Sequence, residues 1–97
     1  MTTDDIFGAL AHPARRAMLE WLVPGPTHAG DLGASAMANF GISASRASQH
    51  LRVLTDAGLI DYRPDGTWRV YFTCAGAGEG LVDWLEEVRL SGRGAGR

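Results

Sequence analysis

Seven polar side chains crowd one short run of the chain: Ser43, Ser45, Arg46, Ser48, Gln49, His50 and Arg52. Their types suit the edges and phosphates of duplex DNA. A glutamine amide pairs bidentately with adenine, and an arginine fork with guanine. Hydroxyl and imidazole groups more often fix phosphate oxygens. Two further arginines, Arg63 and Arg69, flank Pro64-Asp65-Gly66 in a stretch of strand character. Arginines so placed reach phosphates or a minor groove. The competing reading pairs them across the strands with Asp61 or Asp65.

These side chains act together only if the backbone aligns them. Ser43 is a good helix N-cap. Ala47, Leu51 and Leu54 recur at i, i+4 and i+7 and form one buried stripe,. Ser45, Arg46, Ser48, Gln49 and Arg52 then face outward or flank that stripe, and Gly58 ends the helix. Leu59–Arg63 and Thr67–Phe72 are rich in β-branched and aromatic residues and predict two strands, with Pro64-Asp65-Gly66 as the hairpin turn,.

The elements before this unit are helical. Asp4 and Asp5 favour a helix start over 4–11, with Ile6, Phe7 and Leu10 on one face,. His12-Pro13 interrupts it and opens a second helix to about Val23, carrying Ala14, Ala17, Met18, Trp21 and Leu22 at helical spacing,. Pro24-Gly25-Pro26 stops that helix. Thr27 or His28 opens a third, which Asn39-Phe40-Gly41 ends,. After an Ala75–Gly78 hinge, Glu79 to about Leu90 forms a last amphipathic helix. The order is α-α-α-α-β-β-α: a mostly α fold with a small β-hairpin (α+β), the winged helix-turn-helix. In that fold the third helix crosses the DNA backbone and the fourth enters the major groove. The expected domain spans residues 1–90, with 91–97 a disordered tail.

Composition narrows the function. The 97 residues support one domain with a small core, which dimerisation would supplement,. No apolar run approaches a membrane span, and the acidic start does not read as a secretory signal,. A cytoplasmic location is expected. The single cysteine, Cys74, forms no internal disulfide, and a half-buried thiol is its default,. The net charge of −2 argues against a generally sticky nucleic-acid binder,. The charge is uneven, however. Ser43–Phe72 holds four arginines against three aspartates, whereas Glu79–Leu90 holds four acids against Arg89. No nucleophile stands with a base at usable spacing, so no catalytic residues are expected. Asp83, Glu86 and Glu87 read as a solvated helix face.

Two stretches resemble the ArsR/SmtB family of small dimeric transcriptional regulators. Phe7–Leu22 is similar to the family's Leu-Ala-(Asp/His)-Pro-x-Arg-Arg signature. Ser43–Ile60 is similar to its Ser-x-x-x-x-Ser-x-His-Leu-x-x-Leu-x-x-Ala-Gly-Leu signature, and Tyr62–Tyr71 continues as the wing. The likeness covers about residues 5–73. Two departures stand out. The chain is about one helical turn longer between Leu32 and Ser43. It also lacks both familiar metal sites, with no Cys-x-Cys before Asp31-Leu32 and no histidine between Glu79 and Leu90. No metal or cofactor is therefore expected. Arg15 and Arg16, inside the first signature, are expected to brace helix two rather than touch DNA.

The resemblance also implies a two-fold dimer. Phe7, Leu10, Leu81, Trp84, Leu85 and Val88 on the first and last helices are apolar beyond what one small winged helix can cover,. The expected function is a homodimeric repressor that binds an inverted repeat in double-stranded DNA, with no ligand set pointing to an inducer. Two alternatives remain beside it. One is a metal-responsive repressor with an atypical site, joining His28 or Cys74 to acids of the other subunit. The other is a winged-helix protein-interaction module that uses the acidic last helix.

Overall fold

The computed structural model describes residues 3–92 and gives five helices and three strands. They run α1 Thr3–Leu10, α2 Pro13–Leu22, β1 Thr27–His28, α3 Ala29–Phe40, α4 Ala44–Asp56, β2 Ile60–Asp65, β3 Trp68–Thr73 and α5 Glu79–Gly92. The expected mostly α, winged helix-turn-helix architecture is present, with one strand added.

That strand replaces the expected start of the third helix. Gly25 precedes a proline, and a residue so placed favours extended backbone. Thr27 then pairs with Tyr71, and His28 with Val70, so the sheet has the antiparallel order β1-β3-β2. Helix α3 begins only at Ala29. The pairing covers the edge of β3 that a plain hairpin would leave open.

The hairpin turn is also tighter than the sequence suggests. Pro64 lies within β2 opposite Arg69, and Asp65 pairs with Trp68. Because β2 is a sheet edge, Pro64 withholds no hydrogen bond the ladder needs,. The loop is Gly66-Thr67. A positive φ of 62° at Gly66, with none at a non-glycine residue among those described, fits a type II′ turn,.

Helices α1, α3 and α4 end at identifiable stops. His12 is extended before Pro13, and its Nδ1 accepts a hydrogen bond from the Ala14 amide at 3.2 Å. Arg16 donates to the Leu10 carbonyl at 2.7 Å and so caps α1, the bracing role expected for it. Helix α3 takes in most of the stretch between Leu32 and Ser43, and its twelve residues are followed by left-handed Gly41. Helix α4 closes with the Leu59 amide bonded to the Leu54 carbonyl and the Gly58 amide to that of Thr55. Those two bonds make a Schellman motif, which hands the chain directly into β2.

The core gathers Ile6, Met18, Leu22, Leu32, Leu51, Leu54, Ile60 and Tyr71, from α1 through β3. Helix α5 stands apart from it. Every side chain described on α5 is exposed, and its ring contact is Trp84 edge-on to Phe7 of α1, with centroids 5.0 Å apart. The helix runs two residues into the segment expected as a tail. Residues 93–97 of that tail lie outside the described residues.

Candidate nucleic-acid interface

Helix α4 is amphipathic because the Ala47-Leu51-Leu54 stripe seats it on the core. The Ser43 hydroxyl accepts from the Arg46 amide at 3.0 Å and fixes where the helix starts. Its capping role is therefore direct, although the residue stays exposed. Ser45, Arg46, Ser48, Gln49 and Arg52 are all exposed, as the spacing predicts.

The exposed set divides into two groups. Ser48 and Arg52 border a groove of about 790 Å³ between α3, α4 and the wing, and Arg69 borders it from the other side. Gly30, Gly33 and Ala34 keep the α3 wall low. Ser45, Arg46 and Gln49 are absent from the groove lining and lie on the outer crest of α4. Arg52 also sits 3.9 Å from Asp56 one turn along. At that exposure the pair holds Arg52 only weakly.

His50 departs from expectation. It is only 4% exposed, so it does not join the exposed set expected to meet DNA. Its ring packs on that of His12, and its Nε2 is buried without a hydrogen-bond partner among the described residues. At 100° per residue, position 50 falls beside the 47-51-54 stripe rather than opposite it. Burial pushes the His50 pKa below its ordinary value, and His12, Arg15 and Arg46 push it the same way.

The wing arginines make no ion pair with Asp61 or Asp65 among the described residues. Arg69 lies over the Tyr62 ring at 4.4 Å and Arg63 over Phe72 at 5.9 Å. Stacking of this kind orders a guanidinium while leaving its edge donors free. Asp65 instead meets His28, Nε2 to Oδ2 at 3.2 Å. The Tyr62 platform under Arg69 is the part of the site that sequence reasoning missed. Alternation along the strands places positions 62, 69 and 71 on one face, which was the available signal,.

The other expected residues are placed as follows. Phe7 is partly exposed, Leu10 packs against the core, and Trp84, Leu85 and Val88 are exposed. The Leu81 side chain lies outside those described. Val82 and Leu90 add exposed apolar surface that the sequence reading did not single out. Cys74 is half-buried, and its thiol pKa is raised by burial and by Asp61. Among the described residues, no three His, Cys, Asp or Glu side chains converge as metal ligands do, and no helix is long and apolar enough to cross a membrane.

Comparison with known proteins places this geometry. Residues 10–63 match the model of a helix-turn-helix domain family. The HTH-type transcriptional regulator Rv2034 of Mycobacterium tuberculosis is 43% identical over 68 residues, which are 70% of this chain and 60% of that protein. A probable mercury resistance operon repressor of Streptomyces lividans is 37% identical over 65 residues, 67% of this chain and 49% of that protein. The chain thus spans about half to three-fifths of these curated relatives' length. A crystal structure of an ArsR family transcriptional regulator, RHA00566, superposes with a TM-score of 0.77 at 29% identity, covering 89% of this chain and 90% of that one. The matched segment contains α2, β1, α3, α4 and the first four residues of β2, which carry the α4 crest and most of the groove; the chain belongs to the helix-turn-helix family and has the winged helix-turn-helix fold of ArsR/SmtB-type regulators.

Proposed function

We propose that the chain is a homodimeric repressor that reads an inverted repeat in double-stranded DNA. Each α4 enters a major groove. Gln49 and Arg46 face base edges, Ser45 and Ser48 face phosphates, and Arg52 and Arg69 hold the strand that crosses the groove between α4 and the wing. Arg63 meets phosphate on the wing's other face. Ser43 contributes by starting the helix in the right place. The observation that carries the reading is the polar α4 crest, held clear of the core, beside Ser48 and Arg52, which share an open groove with Arg69.

The dimer half of the reading rests on α5. Trp84 is 40% exposed and Leu85 51% exposed on a helix that shows no buried side chain among those described. A second copy covers that surface at a two-fold axis, together with Phe7. Repression follows if the bound dimer excludes polymerase, and the mercury-operon relative is itself named a probable repressor. As a DNA reader it works in the cytoplasm, as one domain over residues 1–90.

Selection from random duplex DNA at low and near-physiological salt tests the reading. Enrichment of an inverted repeat with half-sites about one helical turn apart is the expected result. Failure to enrich any sequence at either salt would overturn it.

A further inference from the structure

The described rings include three tryptophans, and one of them has no ring contact. Trp21 packs near Phe40, and Trp84 meets Phe7. Trp68 has no aromatic or cationic partner among the described residues and is 63% exposed. It occupies the last rung of the hairpin ladder, opposite Asp65 and directly after the Gly66-Thr67 loop. An apolar ring is thus carried at the extremity of the wing.

The neighbouring charges point to what this ring meets. Residues paired across the ladder share a face, so Arg63, Asp65 and Trp68 lie on one side of the hairpin and Arg69 lies on the other,. The wing therefore offers one guanidinium per face, each resting on an aromatic ring and neither in an ion pair among the described residues. The one carboxylate at the tip, Asp65, is turned onto His28. A blade with a cation on each side fits between two rows of phosphates, as in a minor groove. That groove is only about 6 Å wide, too narrow for a two-stranded ribbon with side chains on both faces. An apolar ring at the leading end resolves the mismatch, because a wedge pushed between base pairs opens the groove and kinks the duplex.

From this arrangement we propose that Trp68 is a DNA wedge: it inserts at a base step in the minor groove flanking each half-site, and the protein bends its site. This rests on the DNA-reading function proposed above. It adds a specificity term that α4 does not supply. Pyrimidine–purine steps unstack most readily, so the flank is read by how easily it deforms.

The test compares wild type, Trp68→Ala and Trp68→Phe on the duplex most enriched from a random pool, or on a mixed-sequence duplex at low salt if none is enriched. Affinity is read from the anisotropy of a dye on the DNA, which does not depend on tryptophan. Trp68→Ala should weaken binding at least about fivefold, with Trp68→Phe close to wild type. DNA should quench the wild-type intrinsic fluorescence, and Trp68→Phe should lose that quenching. Energy transfer between dyes on the duplex ends should report a bend that Trp68→Ala reduces. Replacing the flanking pyrimidine–purine step by a stiff A-tract should weaken wild type more than Trp68→Ala. Equal affinities, unchanged quenching in Trp68→Phe and an unbent duplex would overturn the wedge and leave the DNA-reading function intact. A wild-type protein that binds no duplex overturns both.

Discussion

The imidazole rings of His12 and His50 lie with their centroids 4.3 Å apart and their planes tilted by 47°. One ring caps α2, and the other sits on the inner side of α4. The contact ties the family's first signature to its second, and it makes the helix that presents Gln49 sensitive to acid.

That sensitivity has a definite sign. Burial, and then the charges of His12, Arg15 and Arg46, lower the folded-state pKa of His50 below 6.5. Above that pH neither the folded nor the unfolded chain holds the proton, and His50 contributes nothing. As the pH falls below about 6.5 the unfolded chain takes the proton first, so stability is lost until the lowered folded value is passed. Thermal melts should show a lower Tm near pH 5.5 than near pH 7.5. His50→Gln should flatten that difference. Equal slopes in the two proteins would assign the acid sensitivity to other groups.

Gln49 lies on the α4 crest, clear of both the core and the groove. Gln49→Ala should cost roughly 1–3 kcal/mol at a single base pair and little at the others. Titrations against duplexes that differ at one position check this. A uniform loss on every duplex would mean that Gln49 touches only the backbone.

Ser43 and Gly41 set the junction between α3 and α4. Ser43→Ala removes the bond to the Arg46 amide and should destabilise the fold by about 1 kcal/mol. For a chain of this size that is a drop of about 4–8 °C in Tm. Gly41 holds φ at 63°, and the space a methyl group would enter there is open, with no neighbouring atom within 4 Å. Gly41→Ala should therefore destabilise through backbone strain alone, by a comparable amount. Scanning calorimetry measures both.

Trp84 and Leu85 test the dimer. Replacing Leu85 with Asp places a charge in the middle of the proposed two-fold contact. It should weaken self-association by about thirtyfold or more, as expected for a hot-spot position. Sedimentation equilibrium measures the effect, and circular dichroism should show the winged helix still folded. An unchanged association constant would move the interface away from α5.

Most of the fold is legible in the sequence because its stops are chemical. His12-Pro13, Gly41, Ser43 and Gly58 each end or begin a helix for a local reason, and the structure places boundaries at each of them. What was hidden depends on partners far away in the chain. Two residues of β1 have no periodicity to detect, and they become a strand only because β3 has a free edge. Pro64 looks like a turn residue until the sheet order shows its strand to be outermost. His50 is polar by type, and its position beside the buried stripe is closed off only because His12, far back in the chain, packs its ring there. The exposed α4 residues were readable because a buried stripe of three residues fixes the opposite face.

Strand β1 is two residues long, yet it fastens the wing to the first turn of α3 through Thr27–Tyr71 and His28–Val70. The His28–Asp65 contact adds a second tie near the hairpin tip. The wing is thereby held against the helical unit at the middle of β3 and again near its tip, so its separation from α4 is set within each protomer. Under the proposed reading, this makes each half of the molecule a fixed caliper. It measures the spacing from one groove to the next as well as the bases inside them, so over- or under-twisting the duplex alters occupancy with no base pair changed.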